Sequence, residues 1–178
     1  MPYTPFHLGF AWPAWMINKR KLNFMCLSFG AMIPDAELIF LMLLGIDVES
    51  ARGPMHSLLG ALTIDILIVF IIAYFFVPPI GRWFKRNTKS NWHIFAGVDV
   101  TRAPANPMWA LASAGIGTLS HVVLDVFTHD YNPLFWPYRS DISWMLLGDN
   151  MESGLIFTIP LAVIFLSMLV LYWAKKGR

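Results

Sequence analysis

The run Ser120-His121-Val122-Val123-Leu124-Asp125-Val126-Phe127-Thr128-His129 sets three ligand-type side chains four residues apart. On an α-helix each step of four residues turns by only about 40° and climbs about 6 Å, so His121, Asp125 and His129 form one stripe. Imidazole nitrogens and carboxylate oxygens are donors that zinc and its neighbours accept, and a carboxylate beside an imidazole is also its natural hydrogen-bond partner. The stripe therefore reads either as metal ligands or as a hydrogen-bond network between helices. Three more polar residues join it from elsewhere. His56, in Arg52-Gly53-Pro54-Met55-His56-Ser57, opens an apolar segment and taken alone reads as a helix cap or interfacial residue. His7, near the start of the chain, taken alone is interfacial too. Asp35 follows Pro34, whose missing N–H kinks or breaks a helix and opens a place where a carboxylate reaches a neighbour. The fifth histidine, His93, sits in a basic connection and reads as solvated.

The elements that must hold these groups are apolar. Of the 178 residues 57% are hydrophobic and 13% charged, against about a quarter charged in soluble domains, so lipid is the expected solvent. That balance excludes a disordered chain or a rod. One cysteine, Cys26, excludes an internal disulfide framework, and a net charge of +2 is too balanced for a nucleic-acid binder. Leu58 to Val77 and Gly154 to Trp173 read as plain spans, since twenty residues at about 1.5 Å each cross a hydrocarbon core of about 30 Å. Tyr3 to Ile17, Phe24 to Ile46 and Met108 to Thr128 are interrupted candidates. Helices are expected throughout, because lipid cannot satisfy an open strand's backbone.

The expected fold is thus an all-α, polytopic helical bundle of about five membrane segments in a single domain over residues 1–178. Lys19, Arg20 and Lys21, then Arg82, Lys85, Arg86 and Lys89, then Lys175, Lys176 and Arg178 follow alternate segments. The positive-inside rule puts these clusters in the cytoplasm, the N-terminus outside and the C-terminus inside. Residues 81–107 read as a cytoplasmic basic loop and 130–153 as an external loop. The first stretch lacks a basic n-region and a small-residue cleavage site, so it is expected to remain in the mature protein.

The ordered set His7, Pro34-Asp35, His56-Ser57-Leu58-Leu59-Gly60, Ser120-His121-Val122-Val123-Leu124-Asp125, Thr128-His129 and Asn132-Pro133-Leu134-Phe135-Trp136-Pro137 resembles the membrane-bound metal-dependent hydrolases. That family is in turn distantly similar to zinc-dependent phospholipase C, where a helical bundle holds zinc through histidines and aspartates in a comparable order. The resemblance implies a phosphoester hydrolase of the inner, cytoplasmic membrane, acting on a lipid headgroup near the outer leaflet. It also implies a divalent transition metal, zinc, with His7, His56, His121, Asp125 and His129 as ligands and Asp35 orienting or deprotonating the attacking water. Glu37, the second acid of Pro34-Asp35-Ala36-Glu37, is a supporting group, and Arg52 and Arg139 are the outer cations able to clamp a phosphate.

This sequence departs from the pattern in two ways. No histidine follows His129, which removes the further ligand pair of the phospholipases and argues against a three-metal cluster, and Ala51 stands where a histidine often precedes the Arg-Gly pair. Asp65, nine residues beyond His56 and about 180° round a continuous helix from it, is expected to pair with Ser, Thr or Tyr groups between helices. Two other functions fit the same residues. One is a non-catalytic subunit of a membrane complex with a structural metal site or polar core. The other is a proton or ion path through Asp35, Asp65, Asp125 and the histidines.

Overall fold

A computed structural model describes residues 7–46, 52–88, 94–95, 98–129, 131–138 and 151–176. The chain is mostly helical, in order α1 (Leu8–Ile17), α2 (Phe24–Gly30), α3 (Asp35–Leu43), α4 (Leu58–Leu62), α5 (Ile64–Ile71), α6 (Val77–Asn87), α7 (Pro107–Thr128) and α8 (Met151–Lys176). A minimal antiparallel hairpin, β1 (Ile94–Phe95) with β2 (Val98–Asp99), lies between α6 and α7.

Among the described residues two helical runs, Leu58–Asn87 and Pro107–Phe127, are long and apolar enough to cross a membrane. A third exists if α2 and α3, bent by 46° at their junction, count as one span. This corrects the expectation of five spanning segments. With ten residues α1 reaches only about 15 Å, and the described apolar stretch of α8 is Thr158–Leu171. Nor is the Leu58–Asn87 run uniform. It breaks at Thr63, whose φ of −126° and ψ of −78° leave the helical region, and widens into a π-turn over Ile72–Phe76 ahead of Pro78 and Pro79, which have no N–H to give. The helix then runs on to Asn87, so the connection expected from residue 81 begins later. Most of the expected 130–153 loop lies outside the described residues.

Successive segments alternate in direction. Asn23 N–H donates to Ser113 Oγ and His121 Nδ1 to the Ala31 carbonyl, so α2 and α7 run the same way. Thr118 Oγ1 donates to Ala61 and Tyr74 OH to Pro104, so the run from α4 to α6 goes the opposite way to α7. Gly9 meets Leu161, and Met168 packs with Ala11, Ala14 and Phe24, which makes α8 parallel to α1. His7, Asp35, His56 and His121 therefore gather at one end, with Lys19 to Lys21 and the α6 cations at the other.

The buried side chains are unusually small: Ala11, Ala14, Ala31, Ala61, Ala73, Ala110 and Ala114 are all inside, while Ile39, Phe40, Leu43, Phe75 and Val170 face outward. Small residues let helices approach where lipid supplies no hydrophobic drive between them, and the large apolar groups face the hydrocarbon. The approach of α2 to α7 is especially close on both sides. A Cβ on Gly30 would sit 2.5 Å from the Ala114 carbonyl oxygen, and one on Gly117 would overlap the Leu27 carbonyl.

Gly117→Ala is therefore expected to destabilise the bundle by about 1–3 kcal/mol, seen as a lowered melting temperature of the detergent-solubilised protein. Gly115→Ala, whose Cβ would meet only the flexible Ile66 side chain at 3.1 Å, should shift it much less; equal shifts would contradict the packing described.

Candidate metal centre

Each candidate ligand sits where the local sequence breaks or begins a helix. His7 precedes the first residue of α1. Pro34 starts α3 with Asp35 as its first residue. His56 ends the short 3-10 turn Pro54–His56, after which Ser57 caps α4 by accepting from Gly60 N–H at 2.9 Å. Gly60 has no room for a Cβ, which would collide with the Pro54 carbonyl, so His56-Ser57-Leu58-Leu59-Gly60 folds the chain back tightly enough to present His56 inward. His121 and Asp125 come from the last two turns of α7.

These four starting points converge. His121 Nε2 lies 3.4 Å from Asp35 Oδ1 and 3.5 Å from Asp125 Oδ2, and His56 Nε2 lies 3.7 Å and 3.8 Å from the same two oxygens. The His7 ring stacks on that of His121 with centroids 4.2 Å apart. His7, His121 and Asp125 form one group whose ligand atoms lie within 4.8 Å of one another, and Asp35, His56 and His121 form a second. Nδ1 of His7, Nε2 of His56 and of His121, and Oδ2 of Asp125 are all buried and make no hydrogen bond. Leaving such atoms unsatisfied is costly.

Their spacing has a simple interpretation. Four donors about 2.0–2.1 Å from a tetrahedral ion lie about 3.4 Å apart, too far for good hydrogen bonds to each other, and the separations here begin at that value. The imidazoles are also set for it. His121 Nδ1 is 2.8 Å from the Ala31 carbonyl oxygen, which can only accept, so Nδ1 carries the proton and the Nε2 lone pair points into the cluster. His56 Nδ1 donates to Glu37 Oε2 at 3.0 Å with the same result. Because His121 offers only Nε2, the two ligand groups overlap at one donor atom. Their nitrogen and oxygen donors suit a divalent transition-metal ion.

Around this centre the remaining expected residues take different positions. Glu37 also accepts from Gly53 N–H at 3.1 Å, and a Cβ on Gly53 would lie 2.7 Å from Glu37 Oε1, so glycine allows the loop to seat on the carboxylate. His129 stays at the rim, its Nε2 3.8 Å from Asp125 Oδ1, and belongs to neither ligand group. Burial, with Arg52 nearby, lowers its pKa to about 4 despite Asp125, so it is neutral at neutral pH. At His56 burial also disfavours the proton, but the Asp35 and Glu37 carboxylates outweigh it and raise the pKa, which makes proton and metal competitors for the same ring.

Arg52 differs from the expectation of a surface clamp. It is buried, ion-paired to Asp125 Oδ2 at 3.3 Å, and directed at the Tyr131 carbonyl and Asn132 Oδ1. Arg139 and Trp144 lie outside the described residues; Phe135, Trp136 and Tyr138 are exposed. The interhelical hydroxyl partners expected for Asp65 are missing among the described residues, since both its buried oxygens lack a hydrogen bond. Two contributors escaped the sequence. The Ala31 carbonyl has no side-chain signature. Asn132, whose side-chain amide donates to the Asp125 and His129 carbonyls at 3.0 and 2.9 Å, is a polar residue just beyond the ligand helix and had that signal.

No curated protein and no solved structure matches the chain. Residues 1–140, which include every ligand of this centre, match the domain of unknown function DUF4184, and the chain belongs to that family.

Proposed function

We propose that the protein is a multi-pass membrane metal-dependent hydrolase of the cytoplasmic membrane, acting on a phosphoester such as a lipid headgroup at the outer leaflet. The single observation that carries this reading is the convergence of ligand-type nitrogen and oxygen atoms from His7, Asp35, His56, His121 and Asp125 at one end of the bundle. Its resemblance to the membrane-bound metal-dependent hydrolases supports the substrate class. The opposite-end clustering of Lys19, Arg20, Lys21, Arg82, Lys85 and Arg86 supports an orientation with the metal centre outside and the C-terminus in the cytoplasm.

His7, His56, His121 and Asp125 would hold the ion, and zinc suits this nitrogen-rich set. When bound, it supplies Lewis-acid polarisation of the scissile phosphoester. The chain's own groups do the rest. Glu37 and the Ala31 carbonyl keep the Nδ1 protons of His56 and His121 away from the centre. Arg52 fixes the Asp125 carboxylate. Asp35 and His129, each 13% exposed at the side chain against 0–3% for His56, His121 and Asp125, form the side from which water and substrate enter. On that side Asp35 is the carboxylate that takes a proton from the attacking water as its oxygen bonds phosphorus and the alkoxide leaves.

A second reading, a non-catalytic subunit with a structural metal site, draws on one specific observation: His7, His56, His121 and Asp125 are at most 2% exposed, and structural sites are closed.

Three measurements test these assignments. Elemental analysis of the purified full-length protein should find about one transition-metal ion per chain, largely lost in His121→Ala; a metal-free wild type sinks both readings. Glu37→Gln should still bind at saturation but about 10–100-fold more weakly, whereas unchanged affinity would remove Glu37 from the site. In metal-saturated protein, a chromogenic phosphodiester should be turned over and Asp35→Asn should reduce kcat by roughly 100-fold or more. A loaded but inert wild type would favour the structural subunit.

A further inference from the structure

The end of the bundle opposite the histidines holds a cavity of about 540 Å³ between the C-terminal end of α1, the start of α2 and the start of α7. Lys19, Arg20, Lys21 and Arg102 line it, and Asp99 is its one acid. That carboxylate is already engaged by Thr101 N–H and Oγ1, at 2.9 and 2.7 Å, and by Arg102 at 3.8 Å. Two tryptophans complete the wall and position the cations: Lys19 Nζ lies 5.1 Å over the Trp15 ring and Lys21 Nζ 4.9 Å over Trp109. Trp109 and His121 are twelve residues apart on α7, a rise of about 18 Å, so this cavity is separate from the metal centre.

Two apolar grooves adjoin this cavity. One, of about 330 Å³, runs along α2 against α8, past Phe24, Phe29 and Met168; the other, of about 580 Å³, runs along α6, past Val77, Ile80 and Phe84. Met25 lines the cavity and both grooves, and Val98 continues from the cavity into the first of them. A polar chamber with surplus positive charge, adjoining two hydrocarbon-lined grooves that share a wall, matches one class of molecule: an anionic headgroup carrying two acyl chains. Basic pockets between membrane helices on the cytoplasmic side take such headgroups, and anionic lipid is concentrated in that leaflet.

We propose that this end of the protein binds one anionic diacyl phospholipid, with its phosphate among Lys19, Lys21 and Arg102 and its chains in the α2/α8 and α6 grooves. The site is independent of the metal centre and of any turnover there. Native mass spectrometry of the full chain, released from micelles carrying equal phosphatidylglycerol and phosphatidylcholine, tests it. The expected result is one retained phosphatidylglycerol, preferred roughly tenfold or more over phosphatidylcholine. That preference should be lost in Lys19→Ala/Lys21→Ala/Arg102→Ala and kept in His121→Ala. Equal retention of the two lipids by the wild type overturns the proposal without reference to any variant. So does a preference that survives the triple substitution, or displacement of the lipid by an equal concentration of glycerol phosphate, which would mean a small-anion site without a role for the grooves.

Discussion

Imidazole nitrogens and carboxylate oxygens with no water around them must be satisfied by the protein or by an ion, and this constraint organises the histidine end of the bundle. Two of the imidazoles are half-satisfied in a directed way: the Ala31 carbonyl accepts a hydrogen bond from His121 Nδ1–H and Glu37 accepts one from His56 Nδ1–H. Each interaction fixes a tautomer and turns the second nitrogen of its ring toward the same point. Arg52 pairs with Asp125 Oδ2, the oxygen that also faces His56 and His121, and Asn132 ties the end of α7 beneath it. The inward-facing Nε2 atoms of His56 and His121 are left without a hydrogen bond while their Nδ1 atoms are supported.

Helix direction provides the convergence. The N-terminal ends of α1, α3 and α4 and the C-terminal end of α7 lie at one end because successive segments reverse. Glycines on α2 and α7 allow the Ala31 backbone to come within hydrogen-bonding distance of His121. A bulkier residue at that contact would move the acceptor that sets the His121 tautomer, so the packing of two apolar helices and the chemistry of the centre rest on the same few ångströms.

The α7 stripe was legible because its geometry is local: a spacing of four on a 22-residue helix puts His121 and Asp125 together wherever that helix goes. The meeting of His7 and His56 with them is tertiary, and no spacing encodes it; only the coincidence of polar groups in apolar segments, and the order of the motifs, pointed that way. The burial of Arg52, the outer cation expected to clamp a phosphate, on Asp125 is likewise tertiary and has no signature in spacing. The expected count of crossings exceeds the observed one because hydropathy alone registers neither the bend between α2 and α3 nor the shortness of α1.

Asp65 shows how such a break alters a site argument. Counting 100° per residue from His56 puts it on the far side of a continuous helix, but the 3-10 turn before Leu58 and the irregular Thr63 remove the continuity that this count assumes. Its carboxylate is buried and has no hydrogen bond among the described residues. Asp35 and Asp125 lie 3.4 and 3.5 Å from His121 Nε2 and Glu37 lies 3.0 Å from His56 Nδ1, and Arg52 is the one permanently charged cation among the described residues in ion-pair range of them. Such an excess of acid in a low-dielectric interior is relieved when a carboxylate takes up a proton or when positive charge compensates it. Protons on the imidazoles supply such charge, and a divalent ion would supply it through the same inward-facing nitrogens while meeting several donors at once.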